Sequence, residues 1–140
     1  MTELNAPHAP KNTSRAILPV VEKLITAYKL WQQCKSLFPK ELKYTIGEKI
    51  DTLLIESLEA TLTAAFLQKE LKRPFVHKAV VKLDTANVLL RVAWELKAMD
   101  TKKYAALSVP LSEAGQQLGG WHNQLLKQNS PEAKRQSGEK

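Results

Sequence analysis

The chain has 140 residues, 44% of them hydrophobic, and a single cysteine, enough for one domain with a real core and too few thiols for an internal disulfide. Lys and Arg outnumber Asp and Glu by 21 to 14, for a formal charge of +7, and an excess of that sign attracts polyanions, chiefly nucleic acid, through phosphate contacts and counterion release. There is no long uncharged apolar run and no charged-then-apolar N-terminus, so neither a membrane span nor a signal peptide is expected, and the protein reads as soluble and cytoplasmic.

Residues 1–15 carry Pro7, Pro10, Asn12, Thr13 and Ser14, which suit turns, and read as a flexible arm. A first helix begins near Ser14 to Ala16, with Ser14 as candidate N-cap and Pro19 in the first turn, where its missing donor costs little. Ile17, Val21, Leu24, Tyr28, Trp31 and Phe38 set its period, and Pro39 stops it by pushing the preceding residue out of helical geometry. Pro39 can also open a second helix. Its buried face runs through Leu42, Ile46, Ile50, Leu53, Leu54, Ser57, Thr61 and Ala64, while Glu48, Thr52, Glu56, Glu59 and Thr63 stay toward water. Gly47 inside this pattern costs about 1 kcal/mol relative to Ala and suggests close approach by another helix. Beyond Leu54 the apolar arc widens to include Ile55, Leu58, Leu62 and Phe66, which makes that half a candidate inter-subunit surface.

Gln68 to Pro74 reads as a short, positively charged connection, and a third helix spans Phe75 to Met99. This helix has two apolar faces. Val76, Ala79, Val80, Leu83, Ala86, Leu90 and Trp94 make one, and Val81, Val88, Val92 and Met99 fall on a stripe roughly opposite. Lys78 and Lys82 separate the faces on one side, and Asp84, Arg91 and Glu95 on the other. A helix in a small monomer needs only one buried face, so the second predicts contact with another copy of the chain. A break at Asp100–Thr101, where either residue can cap, leads into a fourth helix carrying Tyr104, Leu107, Leu111, Ala114, Leu118, Trp121 and Leu125. Pro110 should kink that helix or divide it near Leu107. Residues 129–140 are a polar tail. With no strand-like alternation and no repeat, the pattern describes an all-α, antiparallel up-down four-helix bundle over residues 16–128.

Leu118-Gly119-Gly120-Trp121, together with Phe38 to Asp51 (FPKEL–YTIGEKID) and Lys82 to Leu96 (KLDTANVLLRVAWEL), resembles a family of small four-helix-bundle proteins. That family includes Avd, the accessory variability determinant of diversity-generating retroelements, and proteins encoded in intervening sequences of bacterial large-subunit rRNA genes. The resemblance runs from about Leu18 to Leu126, and the basic balance and polar tail look more like the Avd branch. It implies a homopentameric barrel that binds the retroelement's reverse transcriptase and template RNA to support mutagenic cDNA synthesis, without chemistry of its own. The alternative branch implies an rRNA-binding or protein-interaction module. The surface departs from the family in being rich in Lys rather than Arg.

The residues themselves carry no catalytic constellation. Gly119-Gly120 follows no strand and matches no nucleotide loop, so it reads as close helix packing beside Trp121. His77 and His122 sit on separate helices and His8 in the arm, without a third metal ligand at a plausible spacing; no metal, cofactor or small-molecule substrate is expected. Cys34 lacks a local base, and Glu48, Asp51, Glu56, Glu59 and Glu70 have the spacing of a solvated helix face. Trp31, Trp94 and Trp121 fall in core stripes. The basic residues are the candidate site: Lys69, Lys72, Arg73, Lys78 and Lys82 as one patch for RNA or DNA, with Lys43 and Lys49 on the second helix and Lys40, Lys102 and Lys103 as further candidates. The candidate oligomer interface is Val81, Val88, Val92, Met99, Ile55, Leu62 and Phe66.

Overall fold

The periodicities close into four antiparallel helices joined by short turns in the computed structural model, which describes residues 17–129. The first helix, α1, spans Ile17–Lys35. The second, α2, is continuous from a single turn at Lys40–Leu42 through a π-helical stretch at Lys43–Gly47 into Glu48–Ala65. Then come α3, Lys69–Glu95, and α4, Thr101–Gln128. No strand occurs among the described residues. Ser14, the candidate cap, the rest of the arm and residues 130–140 lie outside them.

The core is a stack of fully buried side chains, with Trp31 from α1, Ile50 from α2, Leu83 and Leu90 from α3, and Leu107, Leu111 and Leu118 from α4. Burial of each such side chain stabilises by about 1.5–3 kcal/mol. The tightest seam joins α2 to α3. Ser57, Ala60 and Ala64 meet Val76, Ala79 and Leu83 there, and the small side chains let the backbones approach until Ser57 Oγ donates to the Ala79 carbonyl at 2.8 Å. A half-buried carboxylate holds α1 to α2. Asp51 Oδ1 accepts from Tyr28 Oη at 3.1 Å, Trp31 Nε1 at 3.1 Å and Gln32 Nε2 at 2.6 Å, with Lys35 Nζ at 3.7 Å. Lys23 and Glu113, 2.9 Å apart, link α1 to α4.

Several expectations are corrected. The third helix starts at Lys69, not Phe75, so Pro74 lies inside it. Proline removes only the bond its own N–H would make four residues back, and this near the helix start the loss is one bond of a long helix. Pro110 does not divide α4, which is helical from Thr101 to Gln128; the Ala106 carbonyl that loses its donor belongs to an exposed residue. At Gly47 an added Cβ would lie 3.2 Å from the Leu42 carbonyl of its own helix, the tight contact, while the Phe38 ring at 3.7 Å and the Lys35 side chain of α1 at 3.9 Å are ordinary neighbours. At Gly119 and Gly120 a Cβ would meet nothing within 4 Å, so these glycines are not packing contacts. Met99 is corrected most fully. The helix has ended at Glu95, and Met99 turns into the core at 5% exposure instead of extending the outer stripe.

The turn that redirects Met99 is built from hydrogen bonds. Lys97 donates to the Trp94 carbonyl and Ala98 to the Ala93 carbonyl, both at 2.9 Å, the paired bonds of a Schellman closure. Lys97 occupies the left-handed position at φ 66°, where glycine is normally found. Asp100 then caps α4, accepting from the Lys103 N–H at 2.7 Å, as the sequence anticipates. Lys97→Gly should raise stability by about 1 kcal/mol by relieving the left-handed strain. A higher urea midpoint at unchanged slope is the expected result, and Lys97→Val should move it the other way.

Candidate functional site

Two sets of side chains can do more than hold the fold: the outward apolar residues and the basic residues around them. On α3, Val81, Val88 and Val92 are exposed at 45%, 62% and 37%, so the second apolar face remains uncovered in the isolated chain. Leu96 at the helix end continues the line, four residues past Val92 and also exposed; the sequence pattern passes over it by running the stripe on to Met99. On α2, Ile55, Leu62 and Phe66 are likewise exposed. The antiparallel register fixed by Ser57 and Ala79 sets Ile55, two residues before the serine, level with Val81, two after the alanine. Leu71 and Phe75, exposed in the first turns of α3, share the α2–α3 end of the bundle with Phe66. Their signal was present, but placing Leu71 in a connecting loop hid it.

The structure does not gather the basic residues into one patch. Lys49 on α2 and Lys78 and Lys82 on α3 come together around Glu56, whose carboxyl is held below its ordinary range first by the hydrogen bond from Lys82 and then by the charges of Lys82, Lys78 and Lys49. Lys82 is committed to that carboxylate at 3.0 Å, which leaves Lys78 and Lys49 as exposed cations. Lys69 is exposed at the start of α3. Lys43 lies half-buried in the π-helical stretch, toward the opposite end.

Lys72 leaves the phosphate-binding set. Its Nζ donates to the Ala64 carbonyl at 2.7 Å and to the Ala65 carbonyl at 3.2 Å, closing the last turn of α2, and sits 5.9 Å from the centre of the Trp121 ring. Burial pulls its ammonium below the ordinary lysine value. Arg73, its neighbour, is exposed, and its charge bears on His122 of α4. There His77 and His122, far apart in sequence, place their ring centres 5.3 Å apart.

The remaining candidates are structural. Trp31 is fully buried against Phe38, and Trp94 stacks on Tyr104 with ring centres 4.9 Å apart. Cys34 is buried, and burial raises its thiol above the ordinary value. Among the described residues no group of three or more His, Cys, Asp or Glu could hold a metal ion, and no helix is long and apolar enough to cross a membrane.

A helical bundle with an uncovered apolar face and a basic surface is the architecture the resemblance describes, and comparison with protein families decides the matter. A family model described as bAvd-like matches residues 18–125, which is nearly the whole folded part. The chain belongs to the bAvd-like family. The match takes in all four helices but stops before the last residues of α4. No curated protein and no solved structure matches the chain.

In this bAvd-like chain the division between Lys72 and its neighbours is directly measurable. Lys72→Met keeps the apolar stem but removes both carbonyl bonds, and should cost about 1–2 kcal/mol of stability. Lys69→Met, on an exposed position, should stay within about 0.5 kcal/mol of the parent. Urea unfolding of the two variants side by side checks both.

Proposed function

We propose that this chain is a non-catalytic accessory protein that self-assembles through the outward faces of α2 and α3 and holds a reverse transcriptase together with its template RNA. The observation that carries the reading is the uncovered stripe of Val81, Val88 and Val92 on a helix whose other face is already filled by its own bundle. An apolar stripe of that length, rimmed by charge, marks a contact surface. Membership of the bAvd-like family supports the partner class, and five copies is the number the resemblance implies. The basic surplus supports nucleic acid, RNA or DNA, as the second partner, through exposed Lys69, Arg73, Lys78 and Lys49. Such a protein acts by raising the effective concentration of polymerase and template near each other, and needs no reactive groups of its own.

Assembly is tested by light scattering. The parent protein should be a stable oligomer at micromolar concentration, and Val88→Glu with Val92→Glu should yield smaller species of unchanged helicity. A monomeric parent would refute the assembly. Nucleic-acid binding is tested by its salt dependence, which should fall with a log–log slope near −0.7 to −0.9 per phosphate contact. Changing Lys69, Arg73, Lys78 and Lys49 to Gln should flatten that slope, whereas Lys72→Gln should leave it alone. Retention of the full slope in the quadruple variant would move the surface elsewhere.

A further inference from the structure

Two imidazoles that the sequence separates by 45 positions meet between α3 and α4. Their ring centres are 5.3 Å apart with planes inclined by 39°. His77 is exposed, while His122 is half-buried and its Nε2 is enclosed with no hydrogen-bond partner. A buried polar atom left unpaired costs about 1–3 kcal/mol, so one in a folded chain calls for an explanation. Arg73 stands one turn before His77 on α3, exposed, with no carboxylate partner among the described residues.

The two rings are not bonded as they stand, since His122 Nε2 has no partner, but their spacing admits a nitrogen-to-nitrogen bond once the His77 ring turns. An N–H···N bond of about 2.9 Å, plus roughly 1.1 Å from each nitrogen to its ring centre, spans about 5.1 Å. If His77 takes up a proton, one of its N–H groups can donate to the lone pair of His122 Nε2, and the other is left facing outward. The pair then carries one positive charge, not two, because two imidazolium ions so close repel strongly. The surroundings favour an anion over a cation at this place. The charged groups that bear on His122 are His77 and Arg73, both of which, after burial, push its imidazole below the ordinary histidine value. Lys72 is turned onto the α2 carbonyls, and the Lys23–Glu113 pair lies nine residues up α4, about 13 Å along its axis.

We propose that Arg73, His77 and His122 form a binding site for a phosphate group of the nucleic-acid backbone, which gains its second positive charge from a single proton shared between the two imidazoles. Arg73 offers a planar fork to two phosphate oxygens, and His77 an N–H to a third. His122 touches no phosphate; it is the neutral acceptor that steadies the charged His77. The polymer as source of the phosphate rests on the function proposed above, whereas the anion site rests on the geometry of these three residues.

The experiment follows the ring resonances of His77 and His122 by NMR in the full chain as pH is varied, first alone, then with inorganic phosphate, then with a short single-stranded RNA. The pair should take up one proton in a first step and resist the second, and either anion should raise the pH of that first step. In parallel, RNA affinity should strengthen as pH falls from 7.5 to 6.0, by at most about tenfold per pH unit, the limit for one proton. His77→Gln should remove that gain; His8, present in both proteins, cancels. Should His122→Gln fail to fold, His77→Gln and Arg73→Gln, both at exposed positions, decide the question. Imidazole titrations unmoved by both phosphate and RNA would overturn the site. An unchanged pH dependence in folded His77→Gln would do so too, while RNA binding itself stood. A titration moved by inorganic phosphate in a protein that binds no RNA would uphold the anion site and remove the polymer.

Discussion

The narrow seam between α2 and α3 is the contact on which the other features of this bundle depend. Serine and alanine on one helix, valine and alanine on the other, let two backbones approach until a side-chain hydroxyl reaches across to a main-chain carbonyl. A bulkier pair of faces could slide by a turn and still bury apolar surface; a buried hydroxyl bonded to one particular carbonyl cannot slide without losing its acceptor. With that register set, Glu56 falls opposite Lys82, Lys72 reaches the last carbonyls of α2, and the valines of α3 are left facing out. The outer surface is thus a product of how the inner one locks.

The first helix depends on a different device. A single carboxylate oxygen of Asp51 takes in three hydrogen-bond donors from α1, one of them the fully buried Trp31. Because Trp31 Nε1 is buried, its acceptor is not optional: with no acceptor it would carry the desolvation cost of an unpaired donor. Asp51 reads in the sequence as part of a solvated acidic face, and only the packing of α1 against it shows otherwise.

Much of the fold was legible because three- and four-residue spacing is the direct imprint of a buried helical face. The four helices, the Asp100 cap, the inward side of the three tryptophans, of which Trp31 alone is fully buried, and both outward apolar stripes follow from it. What the periodicity could not reveal depended on short-range backbone chemistry or on contacts between distant residues. Pro74 and Pro110 look like breaks, but a helix of 27 or 28 residues tolerates one missing bond. Met99 keeps the spacing of the outer stripe and loses its place because the backbone reverses at Lys97. Lys72 and Arg73 are adjacent and chemically alike, yet about 100° of rotation turns one onto the α2 carbonyls beside Trp121 and leaves the other exposed, its charge bearing on His122. Spacing along the chain can propose a charged patch; only three-dimensional placement can divide it.

Gly119 and Gly120 sit mid-helix with open space where their side chains would be, so no packing gain offsets their conformational freedom. Each weakens the helix by about 1 kcal/mol relative to alanine, and two together raise the open population of the segment below them roughly thirtyfold. That segment contains Leu125, which belongs to a separate small cluster, and Trp121, which packs against both clusters, whereas the three leucines higher on α4 are locked into the main core. The bundle therefore has an uneven ladder of opening events, and its lowest rung is the end of α4. Amide protons there should exchange with solvent well ahead of those around Leu111, and a ligand seated against that corner would slow them first.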